Sequence, residues 1–511
     1  MTTQDVSTTS RNAFVAGLIS GQPQLVVRRL INDLETPVSA FLKVGHGRPF
    51  ASLLESVEGG AVNGRYSIVT LDPDVVWRCQ DGQAEIARGA AILSGAFTPE
   101  TAPALESLRS LIAATKFDLP DDLPPMAAGL FGVFGYDMVR LLEPLGPANP
   151  DPLDLPDAVM ARPSLVAIFD SVKHEIVLVA AAYPDTATDA NTAYDKAVAS
   201  LDGFEDRLHS PLPIQRETEI ASAPDFQSPV DEAGFTEMVA KAKGFIGAGD
   251  IFQVVLAHRF SAPWDQDPFA FYRALRRGNP SPYLFFLDYV DFQLAGSSPE
   301  ILVRLKDGRV TIRPLAGTRP RGATPEQDKA LEAELLADPK ELAEHLMLLD
   351  LGRNDVGRVS SPGSVEVTES FVVERYSQVM HIVSNVNGKA DPKLDAVDTL
   401  LAALPAGTLS GAPKVRAMEI IDELESEKRG VGYGGGVGYI SANGEADICI
   451  VLRTAMFAKD QIFVQAGAGV VADSDPKAEY AETLHKAKAP MRAAGEAWRF
   501  NATTHSPVKS V

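Results

Sequence analysis

GYGGGVGYISANGEADICIVLRTAMFAKDQIFVQAGAGVVADSDPKAEYAETLHKAK, residues 432–488, carries the clearest local geometry in the chain. Apolar and polar residues alternate on both sides of Asn443-Gly444, the pair a type I′ hairpin turn prefers, so GYGGGVGYISA and EADICIVLRTAMFA read as adjacent antiparallel strands. A second turn at Lys459-Asp460 leads into QIFVQAGAGVVA, and DPKAEYAETLHKAKAPMRAA then has the period of a helix. Consecutive antiparallel strands followed by a helix predict an α+β fold.

The same reading extends upstream. YLFFLDYVDFQLAGSS (283–298) and EILVRLKDGRVTIRPL (300–315) are hairpins turned at YVD and KDGR. GFTEMVAKAKGFIGAGD (234–250), TPEQDKALEAELLA (324–337) and PKELAEHLMLLDLG (339–352) have helical period, and GSVEVTESFVV (363–373) is a Val-rich return strand. A polar, proline-bearing stretch from Asp202 to Asp231 has linker composition. We therefore divide the chain into a tail (1–22), an N-terminal region (23–209), a linker (210–231), a C-terminal region (232–497) and a second tail (498–511). In the N-terminal region, short apolar runs such as YSIVTLDPD alternate with helix-like PALESLRSLIAATK, a mixed α and β pattern.

Bulk properties exclude several classes. At 511 residues, with 45% hydrophobic and 23% charged residues, the chain has ordinary globular composition rather than that of a disordered or fibrous protein. A net charge of -21 repels nucleic acid and anionic membranes, so any anionic ligand needs local cations, helix ends or a metal. Two cysteines, Cys79 and Cys449, make neither a disulfide framework nor a Cys-based zinc site. The start MTTQDVSTTSRNAF lacks the basic and apolar regions of a signal peptide, and the longest apolar run, EIVLVAAAY, is too short to cross a bilayer. A cytoplasmic location is the expectation.

Several constellations could carry chemistry. Glu341 and Glu344, and far downstream Glu479 and Glu482, are carboxylates three apart on helices, each pair on one helix face. Four carboxylates brought together need a hard cation such as Mg²⁺ between them; an acidic solvated face, with Glu482 pairing Lys486, is the commoner origin of such spacing. Arg453 ends the run EADICIVLR on the face of Asp447, Cys449 and Val451, and Gly467 and Gly469 leave one face of the next strand bare. An Arg over a glycine slot can seat a carboxylate; an internal pair with Asp447 is the alternative.

Gly430, Gly432 and Gly435 spell G-x-G-x-x-G, but a charged helix precedes and a strand follows, the reverse of a dinucleotide site, which disfavours a nicotinamide oxidoreductase. PAGTLSGAPK (405–414) lacks P-loop spacing; with Thr408 and Ser410 before a helix starting near Pro413 it suits an anion cradle or an ordinary cap. His381 lies in an apolar run where a hydrogen-bonded core histidine is the commoner role.

Taken in order, GSSPEILVR, RPLAGTRPRG, ELAEHLMLLDLGRNDVGRV, ERYSQVMHIVS, LPAGTLSGAPKVRAMEIIDELE, GYGGGVGY, DICIVLRT and QAGAGVVADSDPKAEYAET resemble the chorismate-binding family over about residues 232–497. The resemblance implies a four-layer α/β/β/α core of two large, mainly antiparallel sheets with the active site between them, the N-terminal region packed against it, and Mg²⁺ as cofactor. It implies Glu344 and Glu482 as direct metal ligands, with Glu341 and Glu479 assisting through water. Arg453, Tyr433, Thr408, Gly317, Thr318 and the Gly467 and Gly469 amides match positions that grip chorismate. Members that activate water carry a lysine where this chain has Gln253, and aminodeoxychorismate synthases carry a nucleophilic lysine where it has Ala316. Both absences imply ammonia as nucleophile, attacking C2 as the C4 hydroxyl leaves, followed by loss of pyruvate to give anthranilate: a lyase reaction. Glu300 is the candidate acid for the leaving hydroxyl, and His381 the candidate acid-base aid or orienter in the elimination.

LLES (53–56) and NPSPYLFF (279–286) resemble the regulatory part of anthranilate synthase large subunits. By match, Glu55, Ser56, Arg65, Pro282, Tyr283, Leu284, Val437, Tyr439 and Cys449 surround a feedback tryptophan, Arg65 replacing the lysine of some members. No glutaminase cysteine motif is present, so glutamine use implies a separate amidotransferase subunit, in a heterotetramer of two large and two small chains. Aminodeoxychorismate synthase and a non-catalytic tryptophan-binding subunit are the rival readings.

Overall fold

The computed structural model describes residues 10–58, 62–187, 189–213, 222–376 and 379–501. Residues 1–9 of the expected first tail, 214–221 of the expected linker and 502–511 of the second tail lie outside the described residues. Among the described residues, no helix is long and apolar enough to cross a membrane.

Antiparallel pairing joins 21 of the described strands into one continuous sheet that draws on both halves of the chain. Strand Ser52–Glu55 pairs with Tyr283–Asp288, and Gly129–Phe134 pairs with Gly436–Ser441. Alternation along the strands then decides the layers, because successive side chains leave opposite faces. Phe285, Leu287, Phe292, Leu294 and Met456 meet Val76, Val133, Val159, Val437 and Cys449 in a core made mostly of strands. On the far side of the first group, Leu284, Phe286, Ala295 and Phe457 pack on helices Pro37–Val44, Pro268–Gly278 and Pro476–Glu496. On the far side of the second, Trp77, Leu130, Ile448 and Ile450 pack on helices Ala104–Thr115 and Ala396–Ala403. The order helix, sheet, sheet, helix is the four-layer α+β architecture expected.

Two long strands, Tyr66–Gln80 and Ala158–Asp170, run from one layer into the other. Their register shifts between Pro73 and Val75, opposite Pro163 and Arg162. Two prolines remove ladder donors there, and the strands bend at that break. Arg162 fills the bend fully buried, donating to Asp74 at 2.8 Å through Nε and Nη2 and to Asp185 at 2.8 Å. Residues before the shift pack in one helix-backed core (Val69, Leu71), residues after it in the other (Val75, Trp77).

Four local expectations are corrected. The polar stretch from Asp202 begins inside helix Ala190–Leu208, which buries Phe204 and Leu208; its exposed polar face had hidden a helical period. The run EADICIVLRTAMFA is two strands, Ala446–Ile450 and Thr454–Ala458, because it leaves one neighbour (Ile301–Lys306) and joins another (Phe292–Ser298). Arg453, with φ 48°, is the left-handed residue in that break rather than a strand end. The Asn443-Gly444 turn has positive φ only at Gly444 (88°), so it is not type I′; the Asn443 side chain accepts from the Glu445 amide at 3.1 Å and closes a longer loop.

Gly438 faces Gly132 where the two halves pair, and each glycine is also pressed against the strand on its other side. A Cβ on Gly132 would lie 1.9 Å from the Val159 carbonyl oxygen, and one on Gly438 2.0 Å from that of Asp447. Gly132→Ala is therefore expected to lower the urea midpoint by the equivalent of about 1–3 kcal/mol. Gly146→Ala, whose methyl meets nothing within 4 Å, should stay within about 0.5 kcal/mol of the parent. Equal midpoints would show that the strands part without cost.

Candidate active site

Glu300 sits in the two-residue corner between strands Phe292–Ser298 and Ile301–Lys306. The corner turns its carboxyl inward, where it is buried and accepts from Thr408 Oγ1 at 3.2 Å. Burial pushes its pKa up to about 8, against the Thr408 and Leu315 hydrogen bonds and the charges of Arg453 and Lys486. At neutral pH it is a carboxylic acid with a proton to give. Thr408 is held in the short helix Gly407–Leu409, and Ser410 turns away to donate to the Ala406 carbonyl at 2.9 Å. Of the two hydroxyls, one serves Glu300 and the other its own loop.

His381 lies on strand Val379–Lys389 opposite Thr318, at a bulge that skips Gly317 (φ 74°). Its Nδ1 is 3.1 Å from the Gly317 carbonyl oxygen and 3.0 Å from Thr318 Oγ1. A carbonyl can only accept, so Nδ1 carries the proton and Nε2 presents a lone pair. Among the described residues, Nε2 is buried without a hydrogen-bond partner. Burial, reinforced by the charges of Arg453 and Lys486, lowers the pKa to about 4, so the ring is neutral.

Arg453 carries its charge into the same region, close to Tyr376 and Glu300, where burial lowers its pKa below the ordinary arginine value. Among the described residues its guanidinium makes no ion pair. The alternative partner is taken: Asp447 accepts from Arg304 at 2.9 Å and from the Tyr283 hydroxyl at 3.1 Å. A buried guanidinium without an anion of its own is poised for one from a ligand.

The carboxylate pairs face each other across helices Pro339–Arg358 and Pro476–Glu496. Glu344 is pushed up by burial and then by the charges of Glu341 and Glu482; Glu479 is pushed up by burial and by Glu482. Arg319 holds Glu341 at 2.9 Å, and Lys486 holds Glu482 at 2.7 Å while donating to the Gly467 carbonyl at 3.0 Å. Among the described residues no three acidic, histidine or cysteine side chains already converge on one point. Protein groups lie close over both glycines: a Cβ on Gly467 would lie 2.7 Å from the Tyr433 hydroxyl, and one on Gly469 2.7 Å from Gln253 Nε2 and 4.0 Å from a Glu344 oxygen. Gln253 Nε2 is 3.5 Å from Glu344, and its Oε1 has no partner. Ala316 is buried on strand Leu315–Pro320, paired with Ile382 next to His381.

Sequence reasoning missed three contributors. Lys486 appeared only as a surface partner of Glu482, yet its charge reaches Glu300, His381 and Glu344. Arg319 was one arginine of a basic motif, and Tyr376, edge-on to His381 with ring centroids 5.5 Å apart, carried no spacing signal.

A second cavity, of about 860 Å³, is lined by Glu55, Ser56, Arg65, Pro282, Tyr283, Leu284, Val437, Tyr439 and Cys449, the nine positions matched to a feedback ligand. Three are already engaged, Tyr283 through its hydrogen bond to Asp447. Glu55 is gripped by Arg276 at 2.7 and 2.9 Å and by the Tyr272 hydroxyl, and Arg65 turns to Asp170 at 2.9 Å.

A model of chorismate-binding enzymes matches residues 72–492, beginning well before the 232–497 over which the motifs run. The chain is 55% identical to anthranilate synthase component 1 of Cereibacter sphaeroides over 96% of its length and 98% of the relative's. It is 47% identical to that of Acinetobacter calcoaceticus over 92% and 94%. The crystal structure of anthranilate synthase component I from Streptococcus pneumoniae superposes with a TM-score of 0.76 at 38% identity, covering 91% of this chain and 99% of that one. The menaquinone-specific isochorismate synthase of Escherichia coli shares the fold, with a TM-score of 0.68 at 20% identity over 95% and 100%. The chain belongs to the chorismate-binding enzymes and, within them, groups with the anthranilate synthase component 1 proteins.

Proposed function

We propose that this chain makes anthranilate from chorismate and ammonia, releasing pyruvate and water, and that tryptophan inhibits it. The observation that carries the reading is the unpaired Arg453 guanidinium beside the buried, protonated Glu300. One accepts a carboxylate of a dianionic substrate; the other protonates a leaving hydroxyl. Local cations, Arg453 and Lys486, overcome the net charge of -21.

The carboxylates suit Mg²⁺: all donors are oxygens, and the charges of Glu341 and Glu482 already strain Glu344 in a way a divalent cation relieves. Glu344 and Glu482 would hold it directly, Glu341 and Glu479 through water. Bound there, the ion supplies positive charge to the ring carboxylate. Ammonia adds at C2, both ring double bonds shift one position toward C4, and the C4–O bond breaks as Glu300 delivers its proton, so water leaves. In the second half, the Nε2 lone pair of His381 takes the C2 proton while the C3–O bond breaks; the ring becomes aromatic, and the departing enolpyruvate gains a proton to become pyruvate. Gln253 and Ala316 stand where other members carry reactive lysines, which supports ammonia over water or an enzyme amine as nucleophile. The relatives' name, component 1, supports a partner component; we propose a glutamine amidotransferase in a heterotetramer of two large and two small chains.

Purified chain with chorismate, Mg²⁺ and ammonium at alkaline pH is expected to develop anthranilate fluorescence, suppressed by tryptophan. A folded chain that makes no anthranilate refutes the reading, and accumulation of aminodeoxychorismate would transfer it to that rival reaction. Glu344→Gln and Glu482→Gln should each abolish turnover yet leave tryptophan binding, measured by equilibrium dialysis, intact; Mg²⁺-dependent activity in either removes the ligand assignment.

Glu300 sets a pH limit. Its folded pKa is raised to about 8, so the donating form prevails below that value and is lost above it. At fixed free ammonia, kcat should fall tenfold per unit above about pH 8. Glu300→Gln should lose about 10²–10⁴-fold in kcat and with it this alkaline limb. A limb that survives in the variant belongs to another group.

A further inference from the structure

The 860 Å³ cavity does not end at the nine matched positions. Its wall continues past Leu315 and Val383 to Glu300 itself, and to Arg313, Glu374 and Tyr376. One void therefore touches both the expected tryptophan contacts and the candidate acid.

Tyr376 stands at the junction. It follows strand Glu366–Arg375, in which Glu374 pairs across the ladder with His381. Its amide donates to the Val379 carbonyl at 2.8 Å, closing the hairpin back toward that histidine. The ring meets the imidazole edge-on, at 5.5 Å and 64°, while the hydroxyl donates to Glu374 at 2.9 Å. Glu374 in turn accepts from Arg313 at 2.6 Å on the cavity wall. The phenol thus has its aromatic edge in the catalytic cleft and its oxygen in a polar chain facing the cavity. Packed interiors respond to a ligand by switching between arrangements rather than by deforming smoothly, so a shift of Glu374 or Arg313 carries the ring with it. The ring in turn constrains the imidazole that aims Nε2, and it lies near Arg453.

We propose that Tyr376 is a positioning residue that couples the two sites: a ligand filling the cavity acts on His381 and Arg453 by displacing the Arg313–Glu374–Tyr376 chain. The inference rests on the tryptophan reading above and names the route by which that inhibition reaches the chemistry. No direct contact between the effector and the reacting atoms is needed; the ligand need only favour one placement of the chain over the other.

The test uses the full chain with chorismate, Mg²⁺ and ammonium, and reads tryptophan affinity by equilibrium dialysis separately from inhibition. In Tyr376→Phe the ring remains while its link to Glu374 is cut. Tryptophan should bind with Kd within about twofold of the parent, yet inhibition at saturating tryptophan should weaken at least fivefold, within the range of ordinary coupling between sites. Glu374→Gln, which weakens the same chain without touching the ring, should uncouple in the same direction. Tyr376→Leu, which removes the ring from His381, should lower kcat in the absence of tryptophan with the Kd for tryptophan unchanged. Full inhibition in both Tyr376→Phe and Glu374→Gln overturns the proposal. A large loss of tryptophan affinity in Tyr376→Phe also overturns it, since Tyr376 would then be a ligand contact. If the parent chain makes anthranilate but binds no tryptophan, the regulatory reading itself fails and this inference with it.

Discussion

Where strand 129–134 meets 436–441, Gly435 and Gly129 each bring bare backbone against the opposite half of the chain. A methyl on either would sit about 2 Å from a carbonyl oxygen of a neighbouring strand. Through this approach, and through the pairing of strand 52–55 with 283–288, the two halves of the chain share one sheet instead of resting side by side. The consequence is chemical as well as structural. Strands that wall the 860 Å³ cavity also carry catalytic candidates: Ile301 and Cys449 are ladder partners, and Ile301 follows Glu300 in the chain. The cavity draws on both halves, with Glu55 and Arg65 from one and Tyr283 and Val437 from the other, and its wall reaches Glu300.

Within that frame, burial is the main electrostatic agent, and it drives an acid and a base in opposite directions. Removing water raises Glu300 to about 8 and lowers His381 to about 4, because in each case the charged form loses hydration. Both become neutral, one holding a proton to give and the other a lone pair to receive. Arg453 keeps its charge at the expense of hydration, and with Asp447 already engaged by Arg304 and Tyr283 that charge is left for a ligand. The same Gly-rich run that resembled a nucleotide loop contributes Tyr433 over the Gly467 slot, while its other glycines allow strands to approach closely.

Local geometry was legible wherever a short-range rule operates. The hairpins at YVD and KDGR, the helix after Pro413 and the carboxylate spacing on two helices depend on neighbours a few residues apart, and all are present. Legibility failed where a residue answers to a distant partner. The run 445–458 alternates without interruption, yet it divides because its two parts pair with different strands. Residues 202–208 looked like linker because the helix they finish buries only one narrow face. Tyr376 and Arg319 had no periodicity to betray them, since each matters through groups brought near only by folding.

By itself, then, the sequence determined the kinds of element, the acidic balance that demands local cations, and the order of motifs that marks the family. These are properties of composition and of neighbours along the chain. Tertiary structure alone decided which charges are paired and which are left for a ligand. It also decided which carboxyl holds its proton, and that the expected regulatory positions and Glu300 face one void. Desolvation and electrostatic potential depend on distance in space and on excluded water, and neither is encoded at any single position in the chain.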